Sequence, residues 1–129
     1  MVTRAPRFLL GLSSLISALG GVMHAAAFPK ALVAIDGSNL PHFYGGSSKG
    51  LWLADSATLF LLAAIFGLIA LRPSLATRTV VILVALIPAA TAVLLYAFLG
   101  GFIAGHLLLL IAVLALVAGA QFPGSLAAQ

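Results

Sequence analysis

The segment Leu51 to Leu71, LWLADSATLFLLAAIFGLIAL, constrains this chain more than any other. It is nearly unbroken apolar sequence. At about 1.5 Å of helical rise per residue it is long enough to cross a hydrocarbon core roughly 30 Å thick. Three further runs share its character, at about 8–27, 79–99 and 102–120. A soluble domain carries about 25% charged residues. Here 6% are charged and 64% hydrophobic, too few polar groups to build a water-facing surface. The expectation is one all-α integral membrane domain over residues 1–129, a four-transmembrane-helix bundle with one longer outer loop at 28–50.

Residues Arg4 and Arg7 precede the first run, and Ala25-Ala26-Ala27 ends it. A signal peptide has a similar outline, but its apolar core is about 7–15 residues long. The longer run here predicts a retained first helix. Ser13, Ser17, Gly20 and His24 share one face of that helix, beside a row of Gly11, Ser14, Ala18 and Gly21. In lipid, small residues let helix backbones approach closely, so this face is expected to meet another helix.

In the connection 28–50, Pro29 to Ile35 reads as a short interfacial helix with Pro29 in its first turn and Asp36-Gly37 as its stop. The stretch SNLPHFYGGSSKG reads as an irregular loop, with Ser47 or Ser48 capping the second span. Phe43, Tyr44 and Trp52 suit the headgroup level. Residues 72–78 form a short turn stopped by Pro73. Pro88 is expected to kink the third span, whose small-residue face is Ala85, Ala89, Ala92 and Tyr96. Gly100-Gly101 permits a reversal, and Gly101 with Gly105 offers close spacing at that turn. The tail QFPGSLAAQ is expected to fray.

The net charge of +4 does not indicate nucleic acid, because the six basic residues are scattered singly. They read instead as topology signals. With the N-terminus inside, the inner segments hold Arg4, Arg7, Arg72 and Arg78, and the outer ones hold Lys30 and Lys49. This predicts a multi-pass membrane protein with both termini cytoplasmic. The absence of cysteine excludes disulfides, thiol nucleophiles and thiolate metal ligands.

On that orientation His24, Asp55, Tyr96 and His106 all fall near the outer ends of their spans, and they are the only His, Asp or Tyr residues within them. Asp55 is the one carboxylate in a span. Such a group is expensive in lipid and marks a site unless it is paired. Aspartate with two or three histidines can ligate a metal, and imidazole can ligate haem. The same groups can relay protons or hold a quinone head. His42, in the outer loop, is placed to fold over such a site. Against this, each helix offers one candidate rather than an i, i+3 or i, i+4 pair. His24, Tyr96 and His106 also read as interface residues. Asp55 also reads as a structural partner of a neighbouring helix, of His24 or His106, or of Lys49. Gly45-Gly46 lacks a phosphate-loop context, and Ser47 and Ser48 lack a nucleophile setting.

The stretches GLWLADS, PAATAVLLYAFLG and GHLLLL, in this order, resemble small four-helix bacterial inner-membrane proteins of the DoxX-like kind. The resemblance implies a bundle of the bacterial cell inner (plasma) membrane and assigns no residue roles. The leading functional expectation is a non-enzymatic accessory or assembly subunit, packing with itself or a larger membrane complex in the lipid bilayer. Two alternatives stay open. One is a metal-, haem- or quinone-binding protein using the outer-end residues. The other is a small-solute or proton transporter with Asp55 as the protonatable group.

Overall fold

The structure, a computed structural model, describes residues 4–122. The chain forms α1 (Arg4–Asp36), α2 (His42–Leu71), a 3-10 turn (Pro73–Leu75), α3 (Arg78–Leu99) and α4 (Ile103–Ala120), with no strand among the described residues. All four α-helices are long and apolar enough to cross a membrane. The fold is the expected all-α four-helix bundle of a multi-pass membrane protein. Residues 123–129 of the tail expected to fray lie outside the described residues.

Helices α3 and α4 begin and end within a residue of the expected spans, whereas α1 and α2 run well past theirs. The segment 28–50 is not an interfacial helix followed by an irregular loop. It consists of two helix ends joined at residues 37–41. Pro29 lies inside α1 rather than opening a new helix. It cannot donate to the carbonyl of Ala25, and its ring crowds the preceding turn. One residue away, the Trp52 indole N–H is donated to the His24 carbonyl at 2.9 Å, so α2 supplies a donor beside the turn that the proline loosens.

Ser47 and Ser48 do not cap α2 but lie within it. Its N-cap is Pro41, and Ser48 Oγ donates to the Tyr44 carbonyl. Glycines at 45, 46 and 50 each cost a helix about 0.5–1 kcal/mol, which makes this stretch look like a loop locally. Pairing with α1 overrides that cost. Lys49 reaches the Asp36 carboxylate at 2.5 Å, and a Cβ at Gly45 would stand 3.7 Å from Ile35 Cγ2, so the two backbones run close together. Asp36-Gly37 does end α1, with Gly37 N–H donated to the Val33 carbonyl.

Helix α1 packs against both α2 and α4, and α3 packs against α4, while α2 and α3 pair only marginally. The small-residue face of α1 makes these contacts: Ser13, Ser17 and Gly21 are buried. Ser14 Oγ donates to the Ala63 carbonyl of α2 at 2.7 Å. Ser13 Oγ lies 3.0 Å from the Leu9 carbonyl and 3.5 Å from that of Ile111 in α4. Such bonds, with close backbone approach, hold helices together where lipid removes the hydrophobic drive. On α3, Ala85, Pro88 and Ala92 are buried, as its small-residue face requires.

The contacts also set the relative heights. Ser13 stands level with Ile111, Gly119 with Val81, and Gly105 with Tyr96. Counting residues from these pairs puts the Gly100-Gly101 reversal level with about Gly21 of α1 and Thr58 of α2. Beyond that level α1 continues to Asp36 and α2 returns from His42. At about 1.5 Å per residue the α1–α2 hairpin projects roughly 20 Å past α3 and α4. At the opposite end all four helices finish nearly flush, with Arg4, Arg7, Arg72 and Arg78 gathered there.

Candidate functional site

The side chains singled out by the sequence form two separate pairs. In the first, His24 of α1 meets Trp52 and Ser56 of α2. The imidazole stacks on the indole with ring centroids 4.4 Å apart and planes 17° from parallel. Ser56 Oγ, buried, lies 2.9 Å from His24 Nδ1 and 3.2 Å from the Trp52 carbonyl. The hydroxyl has one proton to give. When the carbonyl takes it, His24 carries its own proton on Nδ1 and its Nε2 lone pair is left free. The indole N–H, donated to the His24 carbonyl, closes a knot that pins α2 to α1 where the hairpin leaves the bundle.

The second pair joins α3 to α4. Tyr96 Oη lies 2.5 Å from His106 Nδ1, with the rings tilted at 46°. With the phenol donating to Nδ1, the Nε2–H of the exposed imidazole points away from the bond. Gly105 makes the approach feasible, since a Cβ there would stand 3.0 Å from Tyr96 Cε1. Gly101, expected to share this role, lies in the turn outside α4 with open space around it. The reversal rests instead on Gly100, whose φ of 70° suits glycine and whose N–H is donated to the Tyr96 carbonyl.

The expected gathering at the helix ends therefore takes a different form. His24 is about 18 Å from the end of α1, and Asp55 about 20 Å from the start of α2, because both helices extend beyond their spans. Counted in helical rise from the Ser13–Ile111 level, the two pairs lie roughly 9 Å apart along the bundle axis, on different helix pairs. Among the described residues no three His, Cys, Asp or Glu come close enough to hold a metal ion. Asp55 is exposed and makes no hydrogen bond or ion pair with the described residues. Neither His24 nor His106 pairs with it, and Lys49 takes Asp36 instead. Asp55 stands at the height of the α3–α4 reversal, where backbone turns must reach water or headgroups, so its charge is cheaper there than in mid-span. His42 does not fold over the site. It is exposed in the first turn of α2, beside a surface depression of about 330 Å³ shared with Asp36 and Lys49 at the hairpin tip.

Three roles escaped the sequence reading, in which Ser56 stood only as a neighbour of Asp55: Ser56 as the partner of His24, Arg7 as an anchor, and the Asp36–Lys49 bridge. Ser56 was legible. Trp52, Ser56, Ala63, Gly67 and Ala70 recur at helical spacing and mark the α1-facing side of α2. Asp55, about 100° around the helix from Ser56, falls off that side. Comparison of the chain with family models, curated proteins and solved structures finds no match. The fold and these two pairs thus define the class, a four-helix membrane bundle with a projecting helical hairpin.

Proposed function

We propose that this chain is a non-enzymatic accessory or assembly subunit that works by packing against further copies of itself or a larger membrane complex. The observation that carries the reading is the projecting α1–α2 hairpin. Neither α3 nor α4 reaches it, and large apolar side chains stand out from it among polar ones: Val33 and Phe43 are each 74% exposed and Leu51 67%. Large apolar side chains left without a partner on a projecting element support an interaction face. The side chains best suited to chemistry support the reading as well, since His24 and His106 are engaged in holding helix pairs together.

The four arginines at the flush end support an orientation with both termini cytoplasmic, leaving Lys30, Asp36 and Lys49 on the outer side. Placement in a bacterial inner membrane rests on the resemblance of GLWLADS, PAATAVLLYAFLG and GHLLLL to DoxX-like proteins.

The test places a photo-crosslinking residue at Phe43 or Leu51, with Leu83 on α3 as the lipid-facing control, followed by blue-native electrophoresis. The expected result is an assembly larger than the monomer and one discrete adduct from the two hairpin positions. A monomer alone, with Phe43 and Leu51 labelling no more than Leu83, overturns the proposal.

A further inference from the structure

The flush end carries four arginines and no acidic side chain. Arg4 opens α1, Arg7 follows about one turn later, Arg72 ends α2 and Arg78 opens α3, and all four are exposed. The chain has two acidic residues, Asp36 and Asp55, and both lie at or beyond the level of the α3–α4 reversal. The countercharge for the arginines must therefore come from outside the chain's own side chains.

One guanidinium is held in place. Arg7 donates its Nε–H to the Ala70 carbonyl at 2.9 Å, across the α1–α2 seam. This bond uses a single N–H and leaves the two terminal nitrogens, a fork that matches two oxygens of a phosphate. Arg72 comes two residues after Ala70, and its guanidinium bonds to no other described residue. Ala70 and Leu71 are the last apolar residues of α2. Guanidiniums anchored there emerge at the depth where a bilayer places its phosphates.

We propose that Arg7 and Arg72, flanked by Arg4 and Arg78, bind the phosphodiester headgroup of an anionic phospholipid. A zwitterionic headgroup carries its own ammonium, which this uncompensated positive field repels, so the surface selects lipids with net negative charge. Tails matter as much as the phosphate, because the site sits at the rim of four apolar helices. The proposal holds whichever side of the membrane this end occupies, and it does not depend on the accessory-subunit reading.

The test uses the full chain in mild detergent, titrated with phosphatidylglycerol or with phosphatidylcholine of the same tails. Bound lipid is counted by native mass spectrometry and stability is read by thermal melting. Inorganic phosphate at millimolar concentration forms the third arm. Phosphatidylglycerol is expected to bind and raise the melting temperature, while phosphatidylcholine and inorganic phosphate do neither. Arg7→Gln/Arg72→Gln is expected to weaken phosphatidylglycerol binding about 25-fold, from roughly five-fold per arginine. Lys30→Gln/Lys49→Gln, at the other end, is expected to leave it unchanged. Arg72→Gln alone breaks no side-chain hydrogen bond or ion pair among the described residues and keeps the test readable if loss of the Arg7 anchor prevents folding. Equal binding of the two lipids, stabilisation by inorganic phosphate alone, or full retention in Arg72→Gln overturns the proposal.

Discussion

Gly67→Ala probes the α1–α2 seam with a magnitude that follows from the structure. A Cβ at Gly67 would stand 2.9 Å from Ser14 Oγ and 3.7 Å from Ser14 Cβ. The first separation is shorter than a carbon–oxygen contact allows, while the second is ordinary. The Ser14 hydroxyl must therefore swing away and give up its 2.7 Å bond to the Ala63 carbonyl. Such interhelical bonds average about 0.6 kcal/mol and reach about 1.7. Residual overpacking adds about 1–3 kcal/mol where neighbours cannot yield. Replacing glycine by alanine in a helix returns about 0.5–1 kcal/mol. The balance is a loss of about 1 kcal/mol. Ser14→Ala alone should cost about as much as the hydrogen bond. In the double variant the bond is already absent and two methyl groups meet at an ordinary distance, so Gly67→Ala becomes neutral or stabilising. The double-mutant cycle is thus expected to show a coupling of about 1–2 kcal/mol, the double variant being less destabilised than the sum of the singles. Reversible unfolding of all four proteins in mixed micelles measures it. Additive effects, or a Gly67→Ala variant more stable than the parent, would refute the contact.

The remaining expectations are narrower. Trp52 is the only tryptophan, so its emission reports on the knot. His24→Ala removes its stacked partner and should shift the emission to the red, whereas Ala26→Ser on the exposed face of α1 should not. Gly105→Val drives side-chain atoms into the Tyr96 ring and should lower stability by about 1–3 kcal/mol. Gly101→Ala meets open space and should change it by less than about 0.5 kcal/mol, and thermal melting separates the two. The Asp36–Lys49 pair is partly exposed, so Asp36→Asn should cost no more than about 1 kcal/mol, with an effect that shrinks as salt rises.

The spans were legible because a lipid-crossing helix needs length and apolar content, and both are written in the sequence. Ser13 and Ser17 of one expected row, Gly21 of the row beside it, and the face Ala85, Ala92 were legible for a related reason, since close helix approach in lipid selects small residues at helical spacing. The hairpin was not legible. Pro29 and the glycines at 45, 46 and 50 are local signals against helix, and what outweighs them is pairing between residues far apart in sequence: Trp52 with His24, Lys49 with Asp36, Gly45 with Ile35. Mistaking those helix ends for a loop also misplaced the candidate site. It put Asp55 one turn from a helix end, when α2 extends thirteen residues before it. The pairing of His24 with Ser56 depends on which helices are neighbours, and hydropathy carries no record of that order. The short Gly100-Gly101 reversal makes α3 and α4 neighbours but does not say which of their side chains face each other, so it left the Tyr96–His106 bond unread.

The measurement closest to the central claim is the distance from the hairpin tip to the α3–α4 reversal. The chain has no cysteine, so spin labels placed through Ser38→Cys and Gly101→Cys report on that distance alone. In lipid nanodiscs, pulsed electron paramagnetic resonance is expected to give a narrow distribution centred beyond about 20 Å, the axial projection of the hairpin. A broad distribution, or one centred well below that distance, would show residues 28–50 folded down as a loop and would contradict the projecting docking element.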